Sequence, residues 1–187
     1  MLGLGNGLAK KSLVRRLINT YTSDFSSGVD GWSGSSVQGT LTLTGNQDSI
    51  DSENNWLKGE FDTTQTDALS SIIREDTFTD VQLGDRFSVS GKIRYISGTD
   101  HWDGSDSVAA RFAPAGSVNA NHGAVAYFLG VQDESTTFDS GMIDDPVGAT
   151  GSDSQDLQIA WLFGGDKPKA GAVFYVKDIV VKQYRTS

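Results

Sequence analysis

Short runs in which apolar and polar residues trade places recur along this chain, separated by Gly, Ser, Asn and Asp. Residues 39–44, GTLTLT, alternate strictly, and in 86–96 Phe87, Val89, Gly91, Ile93 and Tyr95 fall on one face of an extended chain. A period of two is that of a strand with one buried face. The run 56–63, WLKGEFDT, is weaker and carries Gly59, where a bulge is expected. Further strands are predicted over 68–79, 107–112, 124–131 and 157–163, the last two apolar enough to be covered on both sides. The final run, 172–184, sets Phe174, Val176, Asp178, Val180 and Lys182 against Val173, Tyr175, Lys177, Ile179 and Val181. Residues 97–106 and 133–155 lack a strand pattern and read as loops. Many short strands with few helical windows predict an antiparallel β-sandwich.

One stretch departs from this rhythm. Leu13 and Leu17 stand four apart, as do Val14 and Ile18, while Lys10, Lys11, Arg15 and Arg16 occupy the other positions, so 8–19 predicts a short amphipathic helix. Residues 1–7, MLGLGNG, are too rich in Gly to hold a helix alone, and no strand precedes their Gly-x-Gly to make it a nucleotide loop. So short a helix needs a surface to pack on, either its own sandwich or a partner.

Charge favours the partner. The net charge is −9, yet the first 22 residues hold four bases and no acid, which makes them +4, and the other 11 bases face 24 acids, a body of −13. The sequence therefore divides into a basic arm, 1–22, and a sandwich, 23–187. In the arm Lys10, Lys11, Arg15 and Arg16 would meet an acidic partner surface while Leu13, Val14, Leu17 and Ile18 anchor. A body this acidic repels nucleic acid. Cysteine is absent, which removes disulfides and thiol chemistry, and no window approaches a membrane span. The opening lacks the unbroken apolar stretch of a signal peptide, so any extracellular role is expected to be reached by another route.

Catalytic patterns are missing from the sequence. His101 and His122 have no nucleophile elbow to serve, since the nearest string, Gly31-Trp-Ser-Gly-Ser, lacks its last glycine. H-E-x-x-H, Walker and EF-hand loops are absent, no pair among the acids is singled out for glycosidase work, and no enzyme is expected. The densest local constellation is 99–106, TDHWDGSD. Trp102 offers a flat face for a pyranose ring, with His101 and Asp103 as hydroxyl partners; against this stands an ordinary turn with Trp102 folded back on the sandwich. Trp56 poses the same choice, and Trp161, inside an apolar run, reads as core.

The opening Asp24-Phe-x-x-Gly-x-x-Gly-Trp32, the long strand at 87–96 and the closing Phe174-Tyr-Val-x-Asp-Ile-x-Val181 together resemble carbohydrate-binding modules of the galactose-binding-like, jelly-roll type. The resemblance spans about 23–184. It implies a jelly roll whose first strand is 24–32, with Phe25 and Trp32 in the core, and a glycan as ligand. It also implies a structural calcium between the first and last strands, held by Asp24 and Asp178; here the chain departs from the pattern, with Lys177 where the family often has an acid. A second resemblance lies in MLGLGN ahead of a β-rich body, which is similar to virion structural proteins of tailed bacteriophages. It implies a non-enzymatic component of the virion, in a capsid decoration, fibre or tail attachment, docked on other virion proteins and homo-oligomeric. The alternative is a free carbohydrate-binding module with Trp102 as its platform.

Overall fold

The computed structural model describes residues 14–36, 38–48, 50–65, 69–95, 107–114, 125–128, 135–144, 151–162 and 168–186. Twelve strands appear among them: β1 (Arg15–Ser23), β2 (Trp32–Ser36), β3 (Leu41–Gln47), β4 (Trp56–Phe61), β5 (Leu69–Phe78), β6 (Arg86–Tyr95), β7 (Ser107–Pro114), β8 (Val125–Phe128), β9 (Thr136–Asp139), β10 (Ile143–Asp144), β11 (Gln155–Leu162) and β12 (Val173–Thr186). A front sheet runs β10-β6-β12-β4-β3, with β1 on β12 and β9 on β6, and a back sheet runs β2-β5-β11-β7-β8. Every pairing among these strands is antiparallel. No helix is assigned among the described residues.

The inward faces meet in a core built on Phe25, Trp32, Leu57, Phe61, Phe87, Phe112 and Phe174. Phe87 is the hub at one end, 5.1 Å from the Phe78 ring and 4.4 Å from that of Phe112. Each such side chain contributes about 1.5–3 kcal/mol by leaving water. The alternation in β6 therefore does what its period predicts: Phe87, Val89 and Ile93 are in the core.

Five expectations change. The helix over 8–19 is replaced, in its described part, by β1, whose register with β12 runs from Arg15↔Thr186 to Ser23↔Ile179. Ile18, Thr20, Tyr21 and Thr22 favour extended chain, and β12 supplies hydrogen bonds that an isolated helix of this length cannot match. Residues 15–22 thus belong to the sandwich rather than to an arm.

The stretch 24–32 is a corner, not a strand. Phe25 (φ 57°), Gly28 (144°), Asp30 (49°) and Gly31 (73°) all lie at positive φ, carrying the chain from the front sheet to the back. Asp30 Oδ2 accepts from the Phe25 amide at 2.8 Å, and the Trp32 indole donates to Ser23 Oγ at 2.8 Å, so both aromatics are set in the core as expected.

In β12 the strict alternation fails at Asp178. That residue takes φ 50° and the register with β6 shifts between Lys177 and Val180. The bulge returns Ile179 and Val181 to the same side as Phe174 and Val176, so all four are core. Gly59, by contrast, makes no bulge: the β3–β4 shift lies between Thr44 and Gln47, and a Cβ on Gly59 would stand 2.0 Å from Phe174 Cζ. The glycine admits the ring. Lastly, 133–155 contains two short strands, β9 and β10, that border β6.

Candidate functional site

The back sheet carries an unusual outward face. Leu157 and Ile159 of β11 and Ala110 and Phe112 of β7 are core, so the alternate positions Asp156, Gln158, Ala109, Arg111 and Ala113 face away from it. In register, Ser33, Ile73, Gln158 and Arg111 form one row across β2, β5, β11 and β7. The exposures of Arg111, Gln158 and Asp156 are only 3%, 1% and 2%. Arg111 Nε donates to Gln158 Oε1 at 2.9 Å. A guanidinium, a primary amide and a carboxylate are thus held in the middle of a covered sheet face. Polar groups in such a place cost free energy unless hydrogen-bonded, and low local polarity strengthens the bonds they make.

The outward face of the front sheet is built differently. Lys58, Tyr175 and Arg94 stand in one row across β4, β12 and β6, and Lys177 and Lys92 in the next. Residues 50–55 supply the opposing charge. Glu53 accepts from Lys92 at 2.5 Å and pairs with Lys177 at 3.2 Å, and Asp51 pairs with Arg94 and Ser135. Hydrogen bonds from Lys92 and then Lys177 hold the Glu53 carboxyl below its ordinary range. Trp56 is fully buried on this face, edge-on to Tyr175 at 6.4 Å with the Lys177 ammonium 5.8 Å from its ring centroid. It offers no open platform for a sugar.

The expected metal ligands come near one another in register, since Asp24 and Asp178 lie one step beyond the Ser23↔Ile179 pair. The donor set does not fit calcium. Asp24 Oδ1 accepts from the Ser26 amide at 2.9 Å and from its hydroxyl at 2.7 Å, and these bonds, the amide's first, lower its pKa. Among the described residues no three His, Asp or Glu side chains converge, whereas calcium takes six to eight oxygens. Asp178 serves as the bulge instead. Beside Asp24 a depression of about 370 Å³ is lined by Tyr21, Thr22, Asp30 and Arg74, with the Arg74 guanidinium 4.5 Å over the Tyr21 ring.

Of the expected docking residues, Val14, Arg15, Arg16, Leu17 and Ile18 lie at or on β1, and Val14, Leu17 and Ile18 are 64%, 47% and 39% exposed. Lys10, Lys11 and Leu13 lie outside the described residues, as do His101, Trp102, Asp103 and His122; the Trp161 side chain is outside them too. The row through Arg111 and Gln158 was missed from the sequence. The signal was present: Arg111 and Gln158 each interrupt a run otherwise apolar on both faces.

No family model matches the chain, and no curated protein matches it in sequence. Solved structures do match in shape. An α-L-arabinofuranosidase, MgGH51, aligns with TM-score 0.57 and 10% identity over 82% of this chain and 23% of that one. The CBM22-1 xylan-binding domain of Paenibacillus barcinonensis Xyn10C gives 0.53 and 12% identity, covering 89% of this chain and 95% of its own. The family 11 carbohydrate-binding module of Clostridium thermocellum Lic26A-Cel5E gives 0.50 and 14%, with the same coverages. The chain spans about a quarter of the enzyme chains it matches, 23% of the arabinofuranosidase and 27% of a C. thermocellum xylanase fragment, and nearly all of the two separate modules. At these identities the likeness is one of fold, and the chain is an antiparallel jelly-roll β-sandwich of the kind that carbohydrate-binding modules share.

Proposed function

We propose that the protein is a non-enzymatic glycan-binding module whose ligand engages the outward face of the back sheet. The observation that carries this reading is the likeness in shape to two separate carbohydrate-binding modules over 89% of this chain and 95% of each of theirs; the row Gln158–Arg111, only 1–3% exposed, braces that face from beneath. The similar structures support it, because they include a xylan-binding domain, modules complexed with xylohexaose and a carbohydrate-binding module of a cellulase. A β-linked xylose or glucose polymer is therefore the first probe. His101, Trp102 and Asp103, in the connection from β6 to β7, are assigned the stacking and rim role. Calorimetric titration of the full chain with xylan and mixed-linked β-glucan should give heat that Trp102→Ala reduces at least roughly tenfold in affinity, about 1.4 kcal/mol. Absence of binding to either polymer, or binding indifferent to both Trp102→Ala and Arg111→Lys, sinks the reading.

A second reading is favoured by a separate observation, the exposed Val14, Leu17 and Ile18 beside Arg15 and Arg16. In this reading the module is a structural component of a phage particle, held on other virion proteins by its basic N-terminal segment. Because β1 is part of the front sheet, the deletion that tests it is residues 1–13, which ends before that strand. Loss of particle association with an unchanged melting temperature is expected; unchanged incorporation overturns it.

A further inference from the structure

The outward face of the front sheet gathers cations in a chain whose body is acidic. Lys92 and Arg94 stand two apart on β6, Lys177 lies beside Lys92 on β12, and Lys58 joins the same face from β4. Farther along β12, Lys182 stands in register with Ser88; it is exposed and has no acid partner among the described residues.

A short hairpin, residues 50–55, lies over one end of this face. Ile50 and Glu53 exchange backbone hydrogen bonds of 3.1 and 2.9 Å, and Asp51 (φ 52°) and Ser52 (63°) make the tight turn between them. Both acids of the hairpin are spent on the sheet, Glu53 on Lys92 and Lys177 and Asp51 on Arg94. Two ammonium groups thus share one carboxylate, and the seat keeps a positive charge even when it is filled. Beneath the hairpin the Trp56 side chain is fully buried, and its indole N–H has no hydrogen-bond acceptor among the described residues. A buried donor left unmet costs free energy, which a ligand oxygen at that place would relieve.

The hairpin therefore displays what the face accepts: one carboxylate between two lysines and a second on an arginine, with an aromatic ring and an unmet donor alongside. A polymer of acidic sugars repeats that combination, with carboxylates for the cations, hydroxyls for the donor and a ring face for Trp56. Nucleic acid matches it less well, because the acids elsewhere on the body repel a phosphate chain of high charge density.

We propose that this face binds a carboxylated polysaccharide and that the 50–55 hairpin occupies it in the free protein, Asp51 and Glu53 standing where the uronate carboxylates bind. The ion pairs that hold the hairpin are part-exposed, so each is weak and screened by salt. A polymer that brings several carboxylates at once competes for them and continues along β12 to Lys182. The inference concerns the sheet opposite the one assigned to a neutral glycan and does not rest on that reading.

Affinity electrophoresis of the full chain at low salt, through gels containing polygalacturonate or neutral xylan, tests it. Polygalacturonate should retard the parent. Asp51→Asn/Glu53→Gln, which frees the face, should bind it roughly tenfold tighter, the gain expected where the open form is about a tenth of the population. Adding Lys92→Gln/Lys177→Gln should remove that gain. Asp80→Asn/Asp153→Asn makes the same change of charge at exposed sites before β6 and β11 and should gain little. Retardation by xylan should not follow the hairpin variants, so failure here and failure of the neutral-glycan reading are told apart. Melting curves check folding, with Glu53→Gln alone as the milder variant. The proposal falls if polygalacturonate binds neither chain, if the hairpin variant binds no tighter than the parent or than the loop control, or if the lysine changes leave its affinity intact. Tighter binding of a single-stranded oligonucleotide than of polygalacturonate by the hairpin variant would also overturn it, by making the ligand a nucleic acid.

Discussion

The front sheet holds two carboxylate clusters of similar composition and different worth. At one end Asp85, fully buried, accepts from Arg185 Nε and Nη2 at 2.8 Å each, from Gln183 Nε2 at 2.9 Å and from the Gln82 amide at 2.9 Å. Toward the other end Glu53 and Asp51 pair with Lys92, Lys177 and Arg94 on the outward face, where all five side chains keep some contact with water. The first cluster ties the tail of β12 to the turn before β6; the second fastens a surface loop over Trp56. Removing a buried carboxylate that accepts four hydrogen bonds leaves its donors, the buried Gln183 amide among them, unmet, while a pair exposed on both sides loses little more than a screened attraction.

Substitutions should separate the two clusters on that basis. Asp85→Ala is expected to cost about 3 kcal/mol, or roughly 6–12 °C in Tm, read by thermal or urea unfolding. A loss below about 1 kcal/mol would place Asp85 with the surface pairs. Gly59→Ala, which drives a Cβ into the Phe174 ring, should cost about 1–3 kcal/mol without touching either cluster. Asp178→Val, which puts a β-branched residue at positive φ, should cost about 1–2 kcal/mol, whereas Asp178→Gly should be tolerated. Glu53→Gln should cost under about 1 kcal/mol, and less still in high salt.

Acid sharpens the same contrast. Burial pushes the Asp85 carboxyl up, but hydrogen bonds from Arg185, the Gln82 amide and Gln183 outweigh it and hold the group below its ordinary value of 3.8. A depressed folded-state pKa means that the stability is present above 3.8 and is lost as pH falls from there through the folded value. The wild type should therefore lose stability in that window more steeply than Asp85→Ala, and parallel acid titrations of the two would contradict this assignment.

Much of the fold was legible because strand period is local. GTLTLT, the Phe87–Ile93 alternation and the ends of β12 announce themselves within a few residues. The Arg111–Gln158 row was not legible. Its two residues are 47 apart, and only the β7–β11 register makes them neighbours. Nor could sequence distinguish Asp85 from Glu53, because the same carboxylate–cation chemistry is strong or weak according to burial. The described part of 8–19 misled for a related reason: the four-residue spacing is helical, but from Arg15 an edge beside β12 was available, and tertiary pairing overrode local preference.

What the chain by itself determined is the alternation that makes a two-sheet β-sandwich, the aromatic residues that fill it, and the split between a basic start and an acidic body. Only the tertiary structure decided that Phe25 sits in a left-handed corner rather than a strand, that a bulge at Asp178 rephases β12, that β1 is a strand, and which polar residues share the outward face of the back sheet. The physical reason is that side-chain period is written along the chain, whereas register, bulges and burial arise from pairings between segments far apart in it.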